Sequence, residues 1–173
     1  LYETIANVAL PHMAGTFSVS RQESMWILTS YIVASGIMIT AVDWFCKKLG
    51  RKVFFIGSIC LFTVSSFMCG ISNSIEMILI SRILQGLGGG GLLPVSQAVL
   101  LEGFPPEDRG KAMATFGLVV VVAPIIGPVL GGWITDNWTW PWIFFINVPF
   151  GCLASVLAKN LLFNPPYSRD RKS

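Results

Sequence analysis

The chain has 173 residues, 53% apolar and only 12% charged, where soluble domains carry roughly a quarter charged residues. A formal charge of +3 lies in short patches between apolar runs, which argues against the continuous basic face of a nucleic-acid binder, and no nucleic-acid partner is expected. Five windows contain no Asp, Glu, Lys or Arg: residues 24–42, 53–75, 83–101, 112–135 and 137–158, of 19, 23, 19, 24 and 22 residues. A hydrocarbon layer about 30 Å thick is crossed by roughly 20 helical residues, so the pattern predicts a polytopic, all-α membrane protein. Cys46, Cys60, Cys69 and Cys152 are unevenly spaced in or beside these runs and read as small packing residues, with no disulfide frame or metal site.

In chain order, the first predicted helix covers residues 1–13. An apolar run that reaches Pro11 this soon is too short to span, so the expectation is a truncated first helix; without a basic n-region it does not read as a signal peptide. Further helices are predicted at about 25–45, 53–70, 77–101, 112–134 and 143–162. Residues 1–163 thus form one transmembrane bundle, and the polar stretch 164–173 reads as a cytoplasmic tail or linker. The turn after the second helix holds Lys47, Lys48, Arg51 and Lys52, the turn after the fourth holds Arg109 and Lys111, and the tail adds Arg169, Arg171 and Lys172. The opposite turns offer only Arg21, so the positive-inside rule places the 2–3 loop, the 4–5 loop and the tail in the cytoplasm. Trp133, Trp138, Trp140 and Trp142 cluster where an aromatic belt is expected at the other interface.

Arg82 lies about six residues into the fourth helix, with Gln85 three residues on. A guanidinium inside an apolar span is costly, so Arg82 either faces the bundle interior and a proton or substrate path, or snorkels to the outer interface. The glycines that follow, Gly86 to Gly91 apart from Leu87, lack the Lys-Ser or Lys-Thr of a phosphate loop; Gly86 and Gly90 instead read as a smooth face for close helix packing. In the fifth helix Gly127 and Gly131 repeat that spacing, Gly132 adjoins them, and Pro124 and Pro128 each remove a backbone donor and predict a bend. At the front, Thr4 and Asn7 are polar positions on the first helix, Asn7 being expected to face protein, and Glu3 is either a proton-carrying carboxyl toward mid-membrane or simply an exposed one. Gly50 permits a tight turn, Arg51 and Lys52 either bind lipid phosphate or cap helix ends, and Asp43 either pairs with one of these cations or is solvated. Asn147 and Pro149 predict a polar point and a bend in the sixth helix.

Four stretches resemble motifs of the major facilitator superfamily, and specifically its EmrB/QacA-type, fourteen-helix drug:proton antiporters: "LYETIANVALP", "DWFCKKLGRK", "RILQGLGGG" and "APIIGPVLGG", in that order along the chain. In the first, Thr4, Asn7 and Pro11 fit, while Tyr2 occupies the usual acidic position; in the second, Gly50, Arg51 and Lys52 fit, with Asp43 at the usual glycine. Arg82, Gln85 and Gly86 match the third, and Gly127, Pro128, Gly131 and Gly132 the fourth, which is characteristic of exporters. The resemblance implies a partial six-helix bundle, the amino-terminal half of an exporter of amphipathic small molecules in exchange for protons. It implies that Arg82 serves proton transfer, that the 2–3 loop gates a rocking motion against a missing carboxy-terminal half, and that gram-negative relatives associate with a periplasmic adaptor and an outer-membrane channel. No metal or organic cofactor is implied. Two other readings stand beside this one: a truncated, non-transporting membrane fragment or scaffold, and an exporter of one specific physiological solute.

Overall fold

The computed structural model describes residues 2–161, with side chains described for residues 5–160. The expected tail at 164–173 therefore lies outside the described residues, as do the side chains of Glu3 and Thr4. Eight helical segments follow one another: α1 (Tyr2–Phe17), α2 (Arg21–Leu49), α3 (Arg51–Gly70), α4 (Ile75–Gly90), α5 (Leu92–Gly103), α6 (Arg109–Asn137), α7 (Trp142–Phe145) and α8 (Asn147–Leu161). With α4–α5 and α7–α8 each taken as one interrupted span, they form a six-helix bundle, and no strand occurs among the described residues. Five spans are long and apolar enough to cross a membrane, namely Arg21–Leu49, Arg51–Gly70, Ile75–Gly103, Arg109–Asn137 and Trp142–Asn160. The chain is a multi-pass membrane protein.

Local chemistry sets the boundaries. α1 continues through Pro11 to Phe17, four residues past the expected end at 13, and stops where Ser18 turns to φ 53°. α2 begins four residues earlier than expected because Ser20 and Glu23 form a capping box: Ser20 Oγ accepts from the Glu23 amide at 3.1 Å, and the Ser20 amide donates to Glu23 Oε2 at 2.8 Å. Gly50, at φ 85°, separates α2 from α3 in a conformation that a side chain would strain. Ser74 caps α4 through the Met77 amide.

The predicted single fourth helix is interrupted at Gly91. Pro94 has no N–H to give the Gly90 carbonyl, and a run of glycines offers little resistance to the break. The sixth span is interrupted in the same way at Ile146, three residues before Pro149, where the sequence predicts a bend. α6, by contrast, runs as one helix through Pro124 and Pro128.

α4 sits between α2 and α3; α1 packs mainly on α6 and also on α2; α3 packs on α8. Hydroxyls along the apolar spans bond back to the preceding turn, as Thr63 does to the Ile59 carbonyl at 2.7 Å and Ser81 to the Met77 carbonyl at 2.7 Å, so each is satisfied without water. Two apolar clusters close the bundle. The larger joins Ile5, Ala9, Met13, Ile27, Cys69, Ile78, Ile134, Trp140, Ile143 and Phe144 at the tryptophan-bearing end; the smaller joins Val42, Phe54 and Val95 toward the lysine-bearing end. Trp140 departs from the belt expected of it. It is buried, donates from Nε1 to Thr16 Oγ1 at 2.9 Å, and meets Phe17 and Phe144 edge-on, whereas Trp133, Trp138 and Trp142 are exposed.

Candidate functional site

Arg82 is fully buried, at 0% exposure, which removes the snorkelling alternative. Its Nε donates to the Ile27 carbonyl at 2.9 Å, its Nη1 donates to Gln85 Oε1 at 2.8 Å, and the guanidinium carbon stands 4.4 Å from the centre of the Tyr31 ring. Gln85, also at 0%, donates from Nε2 to Ser66 Oγ at 2.6 Å, and the Cys69 thiol points to Gln85 Oε1 at 3.9 Å. One arginine thereby ties α4 to α2 through Ile27 and Tyr31, and through Gln85 to α3. A planar fork of donors suits this job, because Nε and Nη1 reach two acceptors on different elements at once. The three-residue spacing of Arg82 and Gln85 puts them on one side of α4.

Ser66, Cys69, Tyr31 and the Ile27 carbonyl are partners that sequence reasoning passes over. A serine or cysteine in an apolar span looks like ordinary small-residue packing. The faint signals are Tyr31, with a hydroxyl in an uncharged window, and the Ser65-Ser66 pair.

The glycines let the helices close around this network. A Cβ on Gly86 would lie 2.5 Å from the Tyr31 carbonyl oxygen and 2.8 Å from Ala34 Cβ, and one on Gly90 would overlap the Ser35 carbonyl. A Cβ on Gly88 would lie 2.7 Å from the Phe62 amide nitrogen on α3. α4 therefore offers bare backbone to α2 at Gly86 and Gly90, and to α3 at Gly88. On α6 the buried residues Gly127, Gly131, Ile134 and Thr135 form one stripe, and a Cβ on Gly131 would stand 3.1 Å from the Ile5 backbone on α1. Gly132 is looser, 4.0 Å from Val8, and Pro128 is exposed beside the stripe.

Other expected site residues lie apart. Asn7 is exposed on α1 in the described bundle. At the lysine-bearing end Arg51 pairs with Glu102 at the end of α5, while Asp43 is exposed and makes no ion pair among the described residues. Glu102 supplies the carboxylate for which Asp43 was one candidate; its distance of 51 positions from Arg51 hides the pairing in the sequence.

A bundle of apolar spans enclosing a hydrogen-bonded arginine defines the class: a polytopic membrane protein with an ionisable group held in its interior. The family model of the Major Facilitator Superfamily matches residues 1–173, and the chain belongs to that family. It is 46% identical over 162 residues to the multidrug export protein EmrB of Haemophilus influenzae, covering 94% of this chain and 32% of that protein. It is 45% identical over 151 residues to EmrB of Escherichia coli K12, covering 87% and 30%, and 40% identical over 152 residues to the fatty acid resistance protein FarB of Neisseria gonorrhoeae, covering 88% and 30%. The chain thus spans about a third of the length of these curated relatives.

Proposed function

We propose that this chain is the amino-terminal six-helix bundle of a fourteen-helix, EmrB/QacA-type antiporter that exports amphipathic small molecules in exchange for protons. The observation that carries the reading is Arg82, buried and hydrogen-bonded to Ile27 and Gln85 between three apolar helices, in a chain similar to proteins named for multidrug export. A buried cation is expensive to maintain in a membrane span, and the usual return on that cost is a role in moving ions or substrate.

In this reading Arg82 is the fixed charge on the proton path, with Gln85 setting its orientation. Asn7, Thr4 and Glu3 are the residues that α1 contributes to the path. Gly127, Pro128, Gly131 and Gly132 form the helix face on which opening and closing turns, and Gly50, Arg51, Lys52 and Asp43 serve the gate at the cytoplasmic end. Substrate sits between this bundle and a second one, and the two rock about it. The lysine-bearing turns lie inside by the positive-inside rule. In a gram-negative cell the intact transporter sits in the inner membrane and works with a periplasmic adaptor and an outer-membrane channel.

The test is efflux from cells expressing the full-length protein that carries this chain. Arg82→Ala is expected to abolish proton-driven export of several unrelated amphiphiles with the protein still in the membrane. Undiminished export by that variant would remove Arg82 from the mechanism. Export confined to a single solute would replace multidrug efflux by the narrower reading.

A further inference from the structure

We propose that the turn between α2 and α3 is a binding site for the phosphate headgroup of an anionic phospholipid, held by Lys47, Lys48 and Lys52 beside Trp44. α2 ends with Lys47 and Lys48 in its last turn, Gly50 reverses the chain at φ 85°, and Lys52 follows in the first turn of α3. Three lysines thus fall within six consecutive positions at the ends of two apolar spans, the depth at which headgroups lie.

Their charge is not consumed by the protein. Arg51, the remaining cation of the turn, is engaged with Glu102, whereas the three lysines make no ion pair among the described residues. The one other carboxylate near the turn in sequence, Asp43, leaves them in excess.

Two features favour a lipid over a soluble phosphate. The Lys48 ammonium stands 4.6 Å from the centre of the Trp44 ring, and that ring is 57% exposed yet braced edge-on by Phe45 at 4.9 Å. A braced, exposed indole carrying an ammonium is an interfacial anchor with a headgroup-binding charge already in place. Leu49 and Val53, on either side of Gly50, are exposed and offer apolar surface to acyl chains.

The experiment is native mass spectrometry of the full-length protein that carries this chain, equilibrated with equal phosphatidylglycerol and phosphatidylcholine. Preferential retention of phosphatidylglycerol is expected. K48Q is expected to lower that retention roughly fivefold, the contribution of one lysine near an anionic surface. K47Q/K48Q/K52Q is expected to abolish the preference, while arginine at the same three positions preserves it and shows that the fold tolerates the changes. Equal preference in the glutamine triple variant, or an equal loss in K159Q on α8, would overturn the site. Displacement of the lipid by millimolar inorganic phosphate would overturn the lipid assignment.

Discussion

Arg82 is held by geometry as much as by charge. A guanidinium costs on the order of 3 kcal/mol at mid-span on insertion scales; for Arg82, eight positions into Ile75–Gly103, that is an upper bound, and its bonds to Ile27 and Gln85 offset part of it. Lysine at this position keeps a cation but loses the fork, and one ammonium cannot reproduce the span from the α2 carbonyl to Gln85. Arg82→Lys is therefore expected to retain membrane insertion and regain only a minor fraction of wild-type export, measured as initial efflux rates. Gln85→Leu removes an acceptor from Arg82 and a donor from Ser66 together. It is expected to destabilise the bundle by ~1–3 kcal/mol, the cost of leaving buried polar groups unmatched, read as a lower melting temperature in detergent; Gln85→Glu, which keeps an acceptor for Arg82, is expected to lose less. The sequence makes Arg82 and Gln85 conspicuous because a charge and an amide interrupt an apolar run. It leaves Ser66 and Tyr31 inconspicuous, since nothing in linear spacing says which helix will lie against which.

At the scale of elements, the glycines of α4 and Gly36 of α2 behave differently. Gly86 and Gly90 touch the backbone of α2, whereas Gly36, inside α2, has open space where a Cβ would stand. Gly86→Leu is expected to force α2 and α4 apart, costing ~1–3 kcal/mol or more by overpacking. Gly36→Ala is expected to be neutral or to stabilise by ~0.5–1 kcal/mol through helix propensity alone; thermal melts of the two variants side by side check both. The five long apolar spans are readable from charge-free windows, because lipid imposes length and composition directly. Their ends are less so. The Ser20–Glu23 capping box extends α2 beyond its apolar run, and α1 outlasts Met13 because its last turn packs on Trp140 from the far end of the chain. The breaks at Gly91 and Ile146 each precede a proline by three residues, a signal present in the sequence but fully expressed only where the break is compatible with packing.

For the molecule as a whole, the lysine-bearing end is joined across the bundle by Arg51 and Glu102, whose side chains are 39% and 51% exposed. Such a pair contributes ~0–1 kcal/mol to stability, so its breaking is expected to show in transport and hardly in melting. Glu102→Lys should slow export, Arg51→Glu/Glu102→Lys should restore part of it, and a double-mutant cycle on melting temperature should yield less than about 1 kcal/mol. Pairings of this kind, like the seating of α4 between α2 and α3, are illegible in the chain because apolar spans resemble one another in composition and only their packing distinguishes them.

The contact between Thr16 and Trp140 has a consequence for synthesis. The two residues are 124 positions apart, and a ribosome adding ~5–20 residues per second needs roughly 6–25 s to cover that distance. Throughout that interval the Ile5 and Val8 face of α1, which meets Gly131 and Gly132, must wait against lipid or the insertion machinery, and the seam between α1 and α6 is among the last to seal.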